Sequence, residues 1–178
     1  DPLHFLFGFG VIGGLSAGII SVPVIIGGVS KYFDDDKTQS TVTGMLFRTT
    51  WDYFDHFEEF SHWLGQLPTK ACMNPKALLS WNTDKYYLLD LAQKGIPIVP
   101  STIIPRQHPN PLSQWAAHLE YEHLIVKPTI AGAARLTYQL KDEQIGAFDR
   151  EFTKLNAKED FILQPFVSSV TSFGELSL

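Results

Sequence analysis

Only one cysteine, Cys72, stands in the 178 residues, so no disulfide can close within the chain. That fits a reducing, cytoplasmic setting. No metal-ligand spacing surrounds Cys72, which reads as a small buried hydrophobe. Positive charge is also short. Fourteen Lys and Arg against 19 Asp and Glu leave a formal net charge of -5. Nucleic-acid binding needs a clustered basic surface, so this mildly acidic chain excludes a general nucleic-acid partner. Internal repeats and low-complexity segments are absent as well. The length allows one sizeable core or two small ones.

Charge is missing altogether from Leu3 to Val29, where His4 is the only titratable side chain. The run is long enough to span a bilayer, which takes ~20 apolar residues. Gly10, Gly14 and Gly18 have the four-residue spacing of close-packed membrane helices. Seven glycines and Pro23 make a poor helix, however, and no basic cluster precedes the run as a secretory signal requires. The same stretch holds Gly8-x-Gly10-x-x-Gly13, the spacing of a dinucleotide loop. Its acidic partner should follow a second strand roughly 20 residues on. The candidate strand Val22–Ile26 ends in Gly27-Gly28 instead. Three readings stay open: buried strands with glycine turns, a membrane segment, or the cofactor loop of an NAD-dependent oxidoreductase. Asp34-Asp35-Asp36 then reads as a solvated turn.

Beyond residue 44 the pattern is that of a folded α/β chain. Met45–Phe47 reads as a short strand running into the polar and aromatic segment Arg48-Thr-Thr-Trp-Asp-Tyr53. An arginine and an aspartate beyond a strand's carboxyl end can bind a charged small molecule. A local Arg48–Asp52 ion pair explains them equally well. Phe57, Phe60, Trp63, Leu64 and Leu67 recur at helical spacing until Pro68 stops them. His56 and His62 lie beside this helix with neither nucleophile nor metal ligands, and read as surface residues.

Asn74-Pro75 marks a loop and a boundary, giving an N-terminal α/β region over 1–73 and a second region over 74–178. A helix over Ser80–Lys94 is expected next, with Asn82 or Thr83 as its cap and Gly95 closing it. Ile96–Val99 follows as an edge strand. Lys85 sits in the first turn of the expected helix, where the macrodipole disfavours a cation. A bound phosphate would offset that cost; pairing with Asp84 or Asp90 is the alternative. Asn110-Pro111 opens another helix, with Trp115 and Leu119 inward. The apolar run Leu124-Ile-Val126 ends on Lys127, followed by Pro128 and the small-residue loop Thr129–Ala134. One fixed cation beside a turn that a phosphate can approach closely is a natural anion site. Arg135, at the loop's end, reads as a phosphate contact or as a solvated charge. Leu136–Leu140 alternates as a half-buried strand. Ile145, Phe148, Phe152 and Leu155 form a helical stripe, and Phe161–Val167 is a strand in which Pro165 breaks pairing. Strands and helices in this order predict an α+β unit with helices on one side of an antiparallel sheet.

Taken together, Asp84-Lys85, Lys127-Pro128 through Ala134, Gln164-Pro-Phe-Val167 and Gly174-Glu-Leu-Ser177 resemble the ATP-grasp superfamily. The match covers roughly residues 45–178. It is nearest the branch with glutathione-synthetase-like, RimK-like and cycloserine-type ligases. Arg48–Tyr53 and Trp81–Lys85 resemble the cycloserine-type proteins in particular. The resemblance implies a partial ATP-grasp fold after an incomplete Rossmann-like region, with ATP and Mg²⁺ as cofactors. It implies that Lys85 and Lys127 hold phosphates, and that the loop with Gly132 and Ala133 folds over them. Gln164, Pro165, Phe166 and Val167 would form the hinge beside adenine, with Phe166 or Val167 offering backbone hydrogen bonds. Glu175 would reach toward the ribose. Arg48, Trp51, Asp52 and Tyr53 would face a small amino-acid-like substrate. The implied reaction is ATP-dependent C–N ligation; a non-catalytic nucleotide-binding fragment is the alternative. The family's metal-binding acids and asparagine would follow Glu175, so no metal ligand is expected before Leu178. The chain begins at Asp1 and ends as the first half of a strand, which predicts a piece of a longer protein, inactive alone.

Overall fold

The computed structural model describes residues 24–25, 44–45, 53–67, 72, 74–132 and 134–174. Two compact units divide the chain at Thr83 and Asp84.

In the first unit, strand β1 (Val24–Ile25) pairs in parallel with β2 (Gly44–Met45). The other readings made within residues 1–43, including the glycine pattern, the membrane run and the acidic triplet, lie outside the described residues. No helix among those described is long and apolar enough to cross a membrane. Helix α1 (Phe57–Gln66) follows the expected stripe: Phe60, Leu64 and Leu67 are buried. Tyr53, Trp63, Cys72 and Leu79 pack around them. Cys72 therefore sits as a half-buried apolar side chain, and burial pushes its thiol pKa up. Helix α2 (Lys76–Asn82) is joined to α1 by Lys76, whose Nζ donates to the carbonyls of Gly65 and Leu67.

The second unit starts with α3 (Tyr87–Gln93). Here the structure corrects the expectation of one helix capped by Asn82 or Thr83. Asn82 ends α2, and the Thr83 hydroxyl donates back to the Ser80 carbonyl. The entry to α3 is instead made by Asp84, which accepts hydrogen bonds from Tyr86 N at its carboxylate and Tyr87 N at its carbonyl. Gly95 closes α3 as expected. It has φ +75°, and Gly95 N and Ile96 N return to the carbonyls of Ala92 and Leu91. A Cβ at Gly95 would meet nothing within 4 Å, so only the left-handed backbone opposes a side chain there. Gly95→Ala is expected to cost about 1 kcal/mol in denaturant unfolding. No loss would mean that the turn relaxes.

Ile96–Val99 is not a strand. Pro97 and Pro100 lack the N–H groups that a ladder requires, and the edge strand β3 comes later, at Thr102–Ile104. After α4 (Leu112–Ala116), strands β4 (His123–Pro128) and β5 (Tyr138–Lys141) form an antiparallel pair. Helix α5 (Asp142–Asn156), strand β6 (Phe161–Pro165) and helix α6 (Ser169–Phe173) complete the unit. The sheet order is β3-β6-β4-β5, antiparallel throughout. Strand β5 begins two residues later than the alternation suggests, because Ala134 and Leu136 have positive φ and make a turn. At the other end of the sheet, pairing runs through Pro165, opposite Leu124, and on to a bond from Phe166 N to the His123 carbonyl.

Alternation in β4 sends Leu124, Val126 and Pro128 into the core. There they join Ile104, Leu112, Phe152, Phe161 and Leu163 beneath α4 and α5. The start of α4 is fixed from α5: Asp149 accepts Ser113 N at 2.9 Å and Ser113 Oγ at 2.6 Å. Helices thus cover one face of the sheet, as the order of elements predicts.

Candidate functional site

Residues opposite one another in an antiparallel pair share a face. Lys127 lies opposite Ile162, Ile125 opposite Gln164, and Ile103 opposite Ile162. Lys127 and Gln164 therefore stand on the face turned away from α4 and α5, with Ile103, Ile125 and Ile162 as an apolar platform. The chemistry of this face is a cation toward one end, an amide toward the other, and between them half-buried Ile103 and Ile125 over the fully buried Ile162.

A second cation joins at the end of β4. Lys85 N donates to the Thr129 carbonyl at 3.0 Å. Its Nζ donates to Thr129 O at 3.1 Å and Ala131 O at 3.0 Å. Lys85 thus ties the start of α3 to the first residues of the small-residue loop. Burial, and then repulsion from Lys127, lower its pKa to about 8, with Asp84 partly opposing both. The bonds of Lys85 to Thr129, two residues after Lys127, bring the two lysines into one neighbourhood.

The loop itself is anchored at both ends. Thr129 is buried, and its N–H donates to the Asp160 carbonyl at 3.0 Å. Arg135 N returns to Gly132 O, and Thr137 N to Ala134 O. The Arg135 guanidinium makes a two-pronged pair with Glu159 at 2.8 and 3.1 Å. That partly buried pair means that Arg135 is not a solvated charge: it fastens the loop to the turn after α5. Nearby, Tyr86 Oη donates to Asp160 Oδ2 at 3.0 Å. Burial first, and then that bond, push the Tyr86 pKa up to about 12. Asp160 Oδ1 accepts Arg106 N at 2.6 Å.

At the other end of the platform, Gln164 is 7% exposed and its Nε2 donates to Ser101 Oγ at 2.8 Å. The segment Pro165-Phe166-Val167 leads from β6 toward α6. Phe166 N is committed to His123 O, so of the two backbone donors expected here it is the engaged one. Val167 N donates no hydrogen bond among the described residues.

Lys85, Lys127, Gly132, Gln164, Pro165, Phe166 and Val167 all belong to the second unit. Tyr53 belongs to the first and packs on Phe54 and Phe60. Arg48, Trp51, Asp52, Ala133 and Glu175 lie outside the described residues. Sequence reasoning missed Ser101 and Glu159. Both act through contacts distant in sequence, for which no periodic signal exists. Two cations and an amide on the sheet face away from α4 and α5 fit a nucleoside polyphosphate. Among the described residues no group of three His, Cys, Asp or Glu could hold a metal ion. No described residue is therefore assigned to Mg²⁺.

Residues 31–74 match the family model of the D-cycloserine synthetase DcsG N-terminal domain. The cycloserine biosynthesis protein DcsG of Streptomyces lavendulae is 28% identical over 155 residues, 84% of this chain and 52% of that protein. The crystal structure of D-cycloserine synthetase DcsG superposes with a TM-score of 0.67 at 26% identity, covering 79% of this chain and 50% of that one. A RimK domain ATP-grasp protein from Sphaerobacter thermophilus DSM 20745 superposes with a TM-score of 0.53 at 15% identity, over 71% of this chain and 46% of that one. The chain carries part of an ATP-grasp fold. Its resemblance is to ATP-grasp ligases, D-cycloserine synthetase among them. This chain spans about half the length of the curated relative it matches.

Proposed function

We propose that this chain is the nucleotide-binding part of an ATP-dependent ligase that joins a carbon to a nitrogen on a small amino-acid-like substrate. The observation that carries the reading is the convergence of Lys85 and Lys127 at the end of β4, with Gln164 on the same sheet face as Lys127. Two cations at one end suit the phosphates, and the amide and hinge suit the base.

In this reading the γ-phosphoryl group of ATP passes to a substrate carboxylate, giving an acyl phosphate and ADP. An amine then attacks the acyl carbon and phosphate leaves. Protein groups take little covalent part in such transfer; they position and neutralise. Lys127 holds phosphate from the strand end, and Lys85 from the start of α3. The loop with Gly132 and Ala133 covers the phosphates and keeps water from the intermediate. Gln164 to Val167 hold adenine, with the Val167 N–H as the backbone donor, and Glu175 reaches toward the ribose. Arg48, Trp51, Asp52 and Tyr53 read the acceptor. Mg²⁺, when bound, supplies further positive charge on the phosphates. The ATP-binding region begins near residue 74, and the setting is cytoplasmic.

Thermal stabilisation by Mg-ATP, with NAD as the control, tests this. ATP alone is expected to raise the melting temperature. Lys127→Ala should weaken binding by about 1.5–3 kcal/mol, the range for a hydrogen bond to a charged group. A folded Lys127→Ala protein that binds ATP as tightly as the parent would sink the assignment.

A further inference from the structure

The amide of Gln164 has two chemically different ends, and a contact outside the family motifs decides which end is left over. Ser101 continues the β3–β6 register to the position opposite Gln164, since Thr102 lies opposite Leu163. The Ser101 hydroxyl has a single proton, and it donates that proton to the Val99 carbonyl at 2.7 Å. A carbonyl oxygen can only accept, so the direction of this bond is fixed. With its proton committed, Ser101 Oγ can meet Gln164 only as an acceptor. The amide must then present Nε2 to it, as it does at 2.8 Å. The amide oxygen Oε1 is left over. Gln164 is 7% exposed, and among the described residues no donor reaches Oε1. Oε1 is not among the buried side-chain atoms that lack a partner, so it is the accessible end of the amide and can accept an N–H from a ligand.

We propose that Ser101 is a positioning residue: its bond to Val99 fixes the Gln164 amide with Oε1 as the acceptor, so that the site selects a base edge bearing an amino group over one bearing a carbonyl oxygen. This inference rests on the nucleotide reading above. Without the Ser101 hydroxyl the amide can turn over and offer Nε2 to a carbonyl edge at little cost, and discrimination weakens.

The test is binding of ATP and of inosine triphosphate, whose base carries an oxygen in place of the amino group, to the whole chain by calorimetry. The parent should favour ATP. Ser101→Ala should reduce the ATP-to-ITP affinity ratio by about fivefold, the worth of one neutral hydrogen bond. Ser101→Thr, which keeps the hydroxyl, should restore it. Gln164→Glu supplies the control, because a carboxylate accepts at both oxygens and has no end to choose. Adding Ser101→Ala to Gln164→Glu should therefore leave the ratio unchanged, which a general loosening of β3 would not do. If the parent binds ATP and Ser101→Ala keeps the parental ratio, the positioning role is wrong and the nucleotide reading stands. If the parent binds neither nucleotide, both fail.

Discussion

Phe152→Ala is expected to destabilise the second unit by about 3–5 kcal/mol, the usual cost of emptying a buried phenylalanine site. Phe152 is 1% exposed on the inner stripe of α5. Its ring meets Phe161 edge to face, with centroids 5.4 Å apart and planes at 74°. Phe161 lies opposite both Ile104 of β3 and Pro128 of β4. Truncating Phe152 thus leaves a void against the central strand of the sheet. The backbone ladder around β6 resists collapse into it, which keeps the cost near the upper range. The platform bearing Lys127 and Gln164 is the reverse side of the same strands, so the variant should also lose nucleotide binding as the sheet loosens. Guanidinium unfolding followed by circular dichroism measures the loss. Phe173→Ala is the internal control: that ring is 89% exposed and should change stability by less than about 0.5 kcal/mol. Equal effects of the two substitutions would show that α5 is not packed on β6.

The sequence carried the parts of this unit that repeat. Ile145, Phe148, Phe152 and Leu155 announce α5, and α5 runs over Asp142–Asn156. The apolar run Leu124-Ile-Val126 likewise gives β4, and the structure adds the alternation that sets Lys127 on the face opposite the core. Failures came where local chemistry outweighed pattern. Ile96–Val99 looks more like a strand than Thr102–Ile104 does, but two prolines deny it a ladder, while the shorter segment finds β6. Asn82 is a good helix starter in isolation, yet it closes α2 because the chain turns at Asp84. Polar contacts across the sequence were hidden for a different reason. Lys85 meets Thr129 across 44 positions and Ser101 meets Gln164 across 63. Such pairs depend on the sheet register, which no single segment encodes. The lysines drew notice by where the pattern set them: Lys85 in the first turn of an expected helix, where the structure has the turn that precedes α3, and Lys127 at the end of an apolar strand.

The affinity for ATP is expected to fall as pH rises through about 8, and the cause is Lys85. Its pKa lies near 8 in the folded chain, below the ordinary 10.5, because burial and Lys127 disfavour its charge. Between those values the unfolded chain binds a proton that the folded chain has released. Stability from this group therefore rises with pH across that window, and the full penalty for the buried charge is present below it. A polyphosphate reverses the balance. Its negative charge favours the ammonium, raises the Lys85 pKa, and so draws a proton into the complex above pH 8. The dissociation constant should then increase by up to about tenfold per pH unit above that point. Calorimetry in buffers of different ionisation heat reads the proton directly: uptake near zero at pH 6.5, approaching one at pH 9. Lys85→Arg stays charged throughout and should remove the uptake while preserving binding at pH 7. Lys127→Ala should move the step to higher pH, because it removes the repulsion from the neighbouring ammonium. Proton uptake that persists in Lys85→Arg would assign the titration to another group. A step that ignores Lys127 would mean that the two ammonium groups do not act on one phosphate site.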